Sequence, residues 1–330
     1  MLSRGVLPIT NPLTGGAENY VFNLSCELAS RGHHVELISN CDDEIKAILV
    51  KSGVQVHSVP TISLTGQKIV KLGFISWILA HGIGNLVTAI KARNLLSKKR
   101  FDVVHGHGSL AMMLLRRWTR STATIFTLHD AGPWLGSYPR KFERIIRKAV
   151  FKMLDVTAAK KATYATVVFK DLYQHLTKDW KLDSGGVVTI PPAVNTNVFQ
   201  PQKESDSSTK PKEGALFVGH LVSRKGADLL PAISQLAPEL HITVAGDGPL
   251  YQAIVDDAIK LGVSNSFTFL GAISGQSVSH YMQSAKVLLV PSWSEGLPIT
   301  VLEALSSGTP VVATNVGGMK DIVTNGKNGF

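Results

Sequence analysis

The stretch Ser292-Trp-Ser-Glu-Gly-Leu-Pro-Ile-Thr-Val-Leu-Glu-Ala-Leu-Ser-Ser-Gly-Thr-Pro-Val-Val-Ala313 carries two glutamates, Glu295 and Glu303, eight positions apart. Pro298 marks the first turn of a helix, where its missing N–H is no loss, and Gly308-Thr-Pro310 ends that helix ahead of a Val-Val strand. Glu295 then lies in the loop at the helix entrance and Glu303 inside the helix. The free amides of the first turn, those of Ile299, Thr300 and Val301, form an anion site. A loop carboxylate, a row of N–H donors and a second carboxylate suit a ligand with hydroxyls at both ends and phosphates between them. A nucleoside diphosphate sugar has that chemistry.

Outward from this stretch, short apolar strands alternate with helical patterns in both halves, which is the signature of doubly wound α/β domains. Strands are expected near Val6–Thr10, His34–Ser39, Val54–Val59, Asp102–His105, Thr124–Leu128, Ala165–Val168 and Val187–Pro191. In the second half they fall near Ala215–Gly219, His241–Ala245, Ser266–Leu270, Val287–Val290 and Thr309–Ala313. Residues 200–214 hold no apolar side chain except proline and read as a linker or exposed loop, which places a boundary between domains 1–200 and 201–330. At roughly 150 residues per domain, 330 residues agree with two.

The opening stretch resembles the Glu-x7-Glu signature of the retaining glycosyltransferases of family 4. The flanking Pro291-Ser292, the Gly-Leu-Pro after Glu295 and the Glu-Ala-x3-Gly-x-Pro-Val-Val tail all recur in that family. The resemblance implies the GT-B fold, two facing Rossmann-like domains with parallel sheets. The first would bind the acceptor and the second the nucleotide sugar, with Glu303 on the ribose hydroxyls and Glu295 near the transferred sugar.

Further residues carry the same likeness. Leu216-Phe-Val-Gly-His-Leu-Val-Ser-Arg-Lys-Gly226 resembles the family's Val-Gly-Arg-Leu-x3-Lys-Gly loop, whose arginine and lysine hold the donor diphosphate. Lys225 matches the lysine, and His220 stands at the arginine position. Two ways of supplying the missing charge are open: Arg224 next door, or His220 as imidazolium. Ala245-Gly-Asp-Gly-Pro249 resembles the family's turn after the next strand, where a tight strand-to-helix connection accounts for the glycines. Leu270 and Gly271 match the loop whose backbone reads the nucleobase. Asn11-Pro-Leu-Thr-Gly-Gly-Ala-Glu18 is like the family's Pro-x2-Gly-Gly-x-Glu, so Gly15 and Gly16 would approach the diphosphate at a helix N-terminus. Arg31-Gly-His-His-Val35 is a helix stop.

Three histidines fall at strand ends: His105, His107 and His129. The carboxyl edge of a parallel sheet is where α/β proteins bind ligands. His129 matches the family's histidine that faces the transferred sugar, His107 is expected to line the acceptor pocket, and His105 to be packed. No Asp-x-Asp occurs in the chain, so the metal–diphosphate clamp of the other large glycosyltransferase fold is missing. The expectation is a metal-independent enzyme with no cofactor beyond its nucleotide-sugar co-substrate.

Residues 1–194 hold 25 Lys+Arg against 13 Asp+Glu, a net +12, and residues 195–330 hold 9 against 11, a net −2. The excess clusters in Lys91–Arg100, Arg116–Arg120 and Arg140–Lys161, pointing to a glycan or lipid-linked acceptor and to peripheral contact with anionic membrane. Nucleic acid is the rival partner for a basic surface, but no aromatic-interleaved basic motif or known nucleic-acid module is present. Cys26 and Cys41 suggest no disulfide framework, which fits a reducing, cytoplasmic setting. The apolar run from Ile69 to Ile90 is interrupted by Lys71, His81, Gly82, Gly84 and Asn85, and reads as amphipathic helix rather than a membrane span. The N-terminus shows no long apolar signal segment. The last residues, Asn325-Gly-Lys-Asn-Gly-Phe330, resemble a loop that in the family precedes some tens of further residues. The chain is therefore expected to lack the family's C-terminal end and to transfer weakly.

The function expected from these residues is transfer of a hexose-type sugar from a nucleoside diphosphate sugar to a hydroxyl, with retention. The alternatives are another GT-B enzyme such as a sugar-nucleotide epimerase, or a non-catalytic sugar-nucleotide or lipid-surface binding protein.

Overall fold

The computed structural model describes residues 16–59, 84–115, 118–119, 121–129, 141–202 and 212–330, the side chains of 141–148 and 151 excepted. The expected strand Val6–Thr10, Gly15, most of the 200–214 tract and most of the apolar run at 69–90 lie outside the described residues. The chain forms two compact units, Met1–Pro191 and Pro192–Phe330.

In the first unit the order is α1 (Gly16–Ser30), β1 (Val35–Ser39), α2 (Asp43–Lys51), β2 (Val54–Ser58), α3 (84–98), β3 (Val103–Gly106) and α4 (Ser109–Leu115). There follow β4 (Ala123–Leu128), α5 (Lys141–Lys161), β5 (Tyr164–Val167), α6 (Lys170–Gln174) and β6 (Val187–Thr189). β1 pairs with β2, and β3 to β6 lie side by side in chain order, every pairing parallel. α2 shows why such short helices form. Asp42 caps it by accepting from the Ile45 amide at 2.8 Å, and Asp43 and Glu44 at the start and Lys51 at the end match the helix dipole.

β1 is buried along its whole length, yet it contains Glu36. That carboxylate is only 2% exposed and accepts from His34 Nε2 at 2.9 Å, His57 Nε2 at 2.8 Å and Lys99 Nζ at 2.8 Å. Burial pushes its pKa up, but the hydrogen bonds from Lys99, His34 and His57 outweigh burial and hold it at about 2. A charged residue inside a strand is tolerated here because it ties β1 to β2 and to the end of α3.

The second unit runs β7 (Glu213–Val218), α7 (Leu230–Leu236), β8 (Ile242–Ala245), α8 (Tyr251–Lys260), β9 (Phe267–Gly271) and α9 (Gly275–Ser284). It ends with β10 (Ala285–Val290), α10 (Ile299–Ser306), β11 (Val311–Ala313) and α11 (Met319–Ile322). Its five parallel strands lie in the order β11-β10-β7-β8-β9. β7 is central and buries alternate residues on opposite faces. Leu216 joins Leu288, Val290, Val301, Ala304 and Val311 on one side, while Ala215 and Phe217 join Ile242, Val244, Leu230 and Ile254 on the other. Covering both faces is why these strands read as continuous apolar runs.

The compact units meet at Pro191/Pro192, so residues 192–199 pack with the second unit. Val194 and Phe199 pack into the second core, and the Val198 and Phe199 carbonyls accept from Ser279 Oγ at 2.6 Å and Ser306 Oγ at 2.5 Å. The composition of 192–199 gave no sign of this docking. At the other end of the expected linker, Lys212 Nζ donates to the Gly308 carbonyl at 2.6 Å and β7 already begins at Glu213.

Candidate functional site

In the second unit the strand order doubles back between β7 and β10, which lie side by side although about seventy residues separate them. At such a reversal the connections leave the sheet in opposite directions and open a crevice at the strand carboxyl ends. The turn after β7 and the loop after β10 meet there. Gly226 has φ +66°, and a Cβ on it would lie 2.0 Å from the Pro291 carbonyl oxygen, so glycine is what lets the turn approach the loop. The contact is sealed by the Trp293 amide donating to the Arg224 carbonyl at 2.9 Å. Gly317 does the same from the other side, with φ +57° and a Cβ position 2.1 Å from the Glu295 carbonyl oxygen.

This packing brings Lys225, Arg224 and Glu295 together. Lys225 Nζ donates to Glu295 Oε1 at 2.6 Å, and Ser292 Oγ donates to the same oxygen at 2.7 Å. Arg224 Nη1 donates to the Ser294 carbonyl at 3.0 Å and stands 3.7 Å from Glu295 Oε2. The Glu295 side chain is 5% exposed, so two cations and a hydroxyl compensate a nearly buried anion. His220, the departure from the family loop, is exposed at the end of β7, and its ring makes no side-chain hydrogen bond among the described residues. Of the two ways to supply the missing positive charge, the geometry brings Arg224 to the cluster.

α10 begins at Ile299 with Pro298 as its cap residue, one position earlier than a proline inside the first turn. The Val301 amide donates to the Pro298 carbonyl at 3.2 Å and the Val301 side chain is buried in the core, so Val301 leaves the set of free donors. Ile299 and Thr300 remain at the helix entrance. Glu303 lies one turn on from Ile299 and its carboxylate makes no hydrogen bond or ion pair among the described residues. Burial pushes its pKa up to about 7. Gly271 ends β9 with its carbonyl accepting from the Gly246 amide at 2.8 Å, and Leu270 packs partly into the core beside it.

The first unit holds a separate cluster. His107 follows β3 and His129 follows β4, and because these strands are neighbours the two rings meet, Nδ1 of His107 at 2.9 Å from Nε2 of His129. One ring donates and the other accepts, so their tautomers are set together. Tyr20 of α1 stands edge-on to both, at 5.7 Å and 4.9 Å between ring centroids. His129 is 8% exposed and His107 3%, so His107 backs His129 rather than lining an open acceptor surface. His105 is packed, as expected, with Nε2 at 2.6 Å from Thr127 Oγ1 and its pKa pushed down to about 4 by burial. Gly16 is the first residue of α1. Among the described residues no group of three or more His, Cys, Asp or Glu side chains is arranged to hold a metal ion.

Gly317 and Tyr20 were not among the expected participants, and Ser292 was read only as a flank of the motif. Ser292 had a visible signal in its place three residues before Glu295. Gly317 and Tyr20 had none, because their contacts are made across the fold.

Residues 14–198 match the family description "Glycosyltransferase Family 4", and residues 199–330 match "Glycosyl transferases group 1". The chain belongs to glycosyltransferase family 4. This glycosyltransferase is 27% identical, over 100% of its length and 79% of the relative's, to a D-inositol 3-phosphate glycosyltransferase of Stackebrandtia nassauensis. It is 25% identical, over 94% of its length and 67% of the relative's, to a phosphatidylinositol N-acetylglucosaminyltransferase subunit of Arabidopsis thaliana. Among solved structures, sucrose-phosphate synthase from Thermosynechococcus elongatus superposes with a TM-score of 0.75 at 20% identity, covering 96% of this chain and 80% of that one. Anabaena HepE in complex with UDP and glucose gives 0.68 at 18% identity, covering 96% and 82%. The glycosyltransferase thus has the α/β fold of the GT-B enzymes, built from parallel sheets. No helix among its described residues is long and apolar enough to cross a membrane.

Proposed function

We propose that this glycosyltransferase moves a hexose-type sugar from a nucleoside diphosphate sugar to a hydroxyl of a glycan or glycolipid acceptor, with retention at the anomeric carbon. The reading is carried by the Arg224–Lys225–Glu295 cluster at the β7/β10 crevice, with Glu303 on the helix that the Glu295 loop leads into and its pKa pushed up to about 7 by burial. Lys225 and Arg224 supply fixed positive charge where a departing diphosphate gathers negative charge, and the Ile299 and Thr300 amides add helix-terminal donors. Glu303 accepts from the ribose hydroxyls and Glu295 stands by the sugar. Leu270 and Gly271 contribute backbone to the base. In the first unit His107 orients His129, the histidine that the family resemblance assigns to the transferred sugar. The acceptor O–H attacks the anomeric carbon as the bond to the diphosphate breaks. The bonding pair leaves with the nucleoside diphosphate, and one of its phosphate oxygens takes the acceptor's proton.

Cationic side chains fill the role of a divalent ion in this reading, so transfer is expected to survive chelation. A thermal-shift panel of UDP-, GDP- and ADP-sugars identifies the donor, and proton NMR of the product reads the anomeric configuration. An inverted product, or stabilisation by none of the panel, rejects the reading.

Support for an anionic acceptor or surface comes from the +12 charge of the first half and from the outer face of α3. There Leu86 and Ile90 are exposed and Arg93 stacks on Trp118 at 5.0 Å. The names of the two relatives, which act on an inositol phosphate and on phosphatidylinositol, fit the same chemistry. The proposal places the enzyme in the cytoplasm, in peripheral contact with the inner face of the membrane. It predicts tighter binding to anionic than to neutral vesicles, the difference fading as the Debye length falls from about 10 Å at 0.1 M salt to about 3 Å at 1 M.

A further inference from the structure

The cluster contains a buried hydroxyl with no part in the mechanism above. Ser292 is 1% exposed, and its Oγ lies 2.7 Å from Glu295 Oε1 and 3.5 Å from the Lys225 carbonyl oxygen. A hydroxyl has one proton to donate, and at these distances it goes to the carboxylate. The surrounding backbone is fixed without it. The Ser292 carbonyl accepts from Thr314 Oγ1, and the neighbouring Trp293 amide donates to the Arg224 carbonyl at 2.9 Å.

Glu295 Oε1 therefore has two donors of different kinds. Lys225 reaches it at 2.6 Å from a short turn, Ser223–Lys225, on a flexible stem whose side chain is 22% exposed. Ser292 reaches it from inside the protein. A diphosphate carries more negative charge than one carboxylate and competes for the same ammonium. When Lys225 turns to it, Glu295 loses its nearest cation, and the Ser292 hydroxyl is the donor left on Oε1.

We infer that Ser292 is a positioning residue: it holds the Glu295 carboxylate in place beside the transferred sugar once Lys225 has moved to the donor's diphosphate. The inference rests on the donor reading proposed above. Its consequence is a division of labour, in which loss of the Ser292 hydroxyl is felt by the sugar and its transfer, and hardly by the nucleoside diphosphate.

The test uses whichever of UDP-glucose, GDP-mannose or ADP-glucose raises the melting temperature most, together with its bare nucleoside diphosphate. Affinities for both, and the rate at which the sugar is released to acceptor or water, are measured for the wild type, Ser292→Ala, Glu295→Ala and the double variant, each below its own melting temperature. Ser292→Ala is expected to bind the nucleoside diphosphate within about twofold of wild type and to lose roughly 10-fold or more in rate, the scale of one hydrogen bond to a charged group. In the Glu295→Ala background the same substitution should cause no further loss, because the group it positions is gone. Additive losses in the double variant, equal weakening of sugar nucleotide and nucleoside diphosphate, or a wild-type rate in Ser292→Ala would each overturn the inference. If Glu295→Ala itself leaves turnover and sugar affinity unchanged, the donor reading fails and the inference falls with it.

Discussion

Replacing Glu303 by glutamine should make the second unit more stable and the enzyme worse at holding its donor. Burial raises the Glu303 pKa from 4.5 to about 7. The folded state thus binds the proton more tightly than the unfolded chain, and the stabilisation is complete below pH 4.5. It is lost as pH rises through 7, above which the native protein carries a partly buried carboxylate with no hydrogen-bond or ion-pair partner among the described residues. A shift of this size corresponds to on the order of 3 kcal/mol, at about 1.4 kcal/mol per pKa unit, and local relaxation reduces what is realised to about 1–3 kcal/mol. Glutamine keeps the shape and removes the charge. Urea unfolding at pH 8 should therefore show Glu303→Gln more stable than wild type, with the gap closing as the pH is lowered toward 5. Donor affinity should fall roughly 10-fold to 100-fold, since ribose hydroxyls lose a charged acceptor worth about 1.5–3 kcal/mol. Donor hydroxyls favour the ionised acid, so binding near pH 6.5 should release protons, seen in calorimetry as a heat that depends on the buffer. A pH-independent stability difference between variant and wild type would refute the ionisation argument, and unchanged donor affinity would remove Glu303 from the site.

Other consequences can be checked in the same way. His129→Ala should cut turnover by orders of magnitude while leaving nucleoside diphosphate affinity nearly intact; surviving turnover would make the His107–His129 pair a packing feature. Glu36 has the opposite linkage to Glu303, because its folded pKa of about 2 lies below the ordinary 4.5, so its stabilisation is present above pH 4.5 and lost as pH falls toward 2. Glu36→Gln should destabilise the first unit at neutral pH by about 2–3 kcal/mol, with the gap to wild type narrowing in acid; equal unfolding midpoints at pH 7 would count against the network. Gly226→Ala forces a Cβ to within 2.0 Å of the Pro291 carbonyl and should shift the turn that carries Lys225. Donor binding should weaken at least tenfold alongside a lower melting temperature, and calorimetry showing native affinity would free the turn from the site.

The pattern of apolar residues placed every described strand within about two residues, because a strand buried on both faces must be apolar along its length and a helix must repeat every 3.6 residues. Those are local demands, legible one segment at a time. The same holds for the Pro298 and Gly308 punctuation around α10. Where 192–199 would pack was not legible, because Phe199 needs α9 and α10 beneath it before its burial has meaning.

The sequence by itself determined an alternating α/β chain, a Glu-x7-Glu helix entrance, a lysine in a glycine-flanked turn and a basic first half. Only the tertiary structure decided that β7 and β10 are neighbours, which puts Lys225 2.6 Å from a glutamate seventy positions away. It also decided that Val301 is spent inside its own helix, that His107 meets His129, and that burial pushes the Glu303 carboxyl up to about 7 while the hydrogen bonds from Lys99, His34 and His57 hold Glu36 down at about 2. The reason is one of range. Backbone preference and hydrophobic periodicity act between residues a few places apart, whereas charge, burial and hydrogen bonding act through space between residues that only the packed chain brings together.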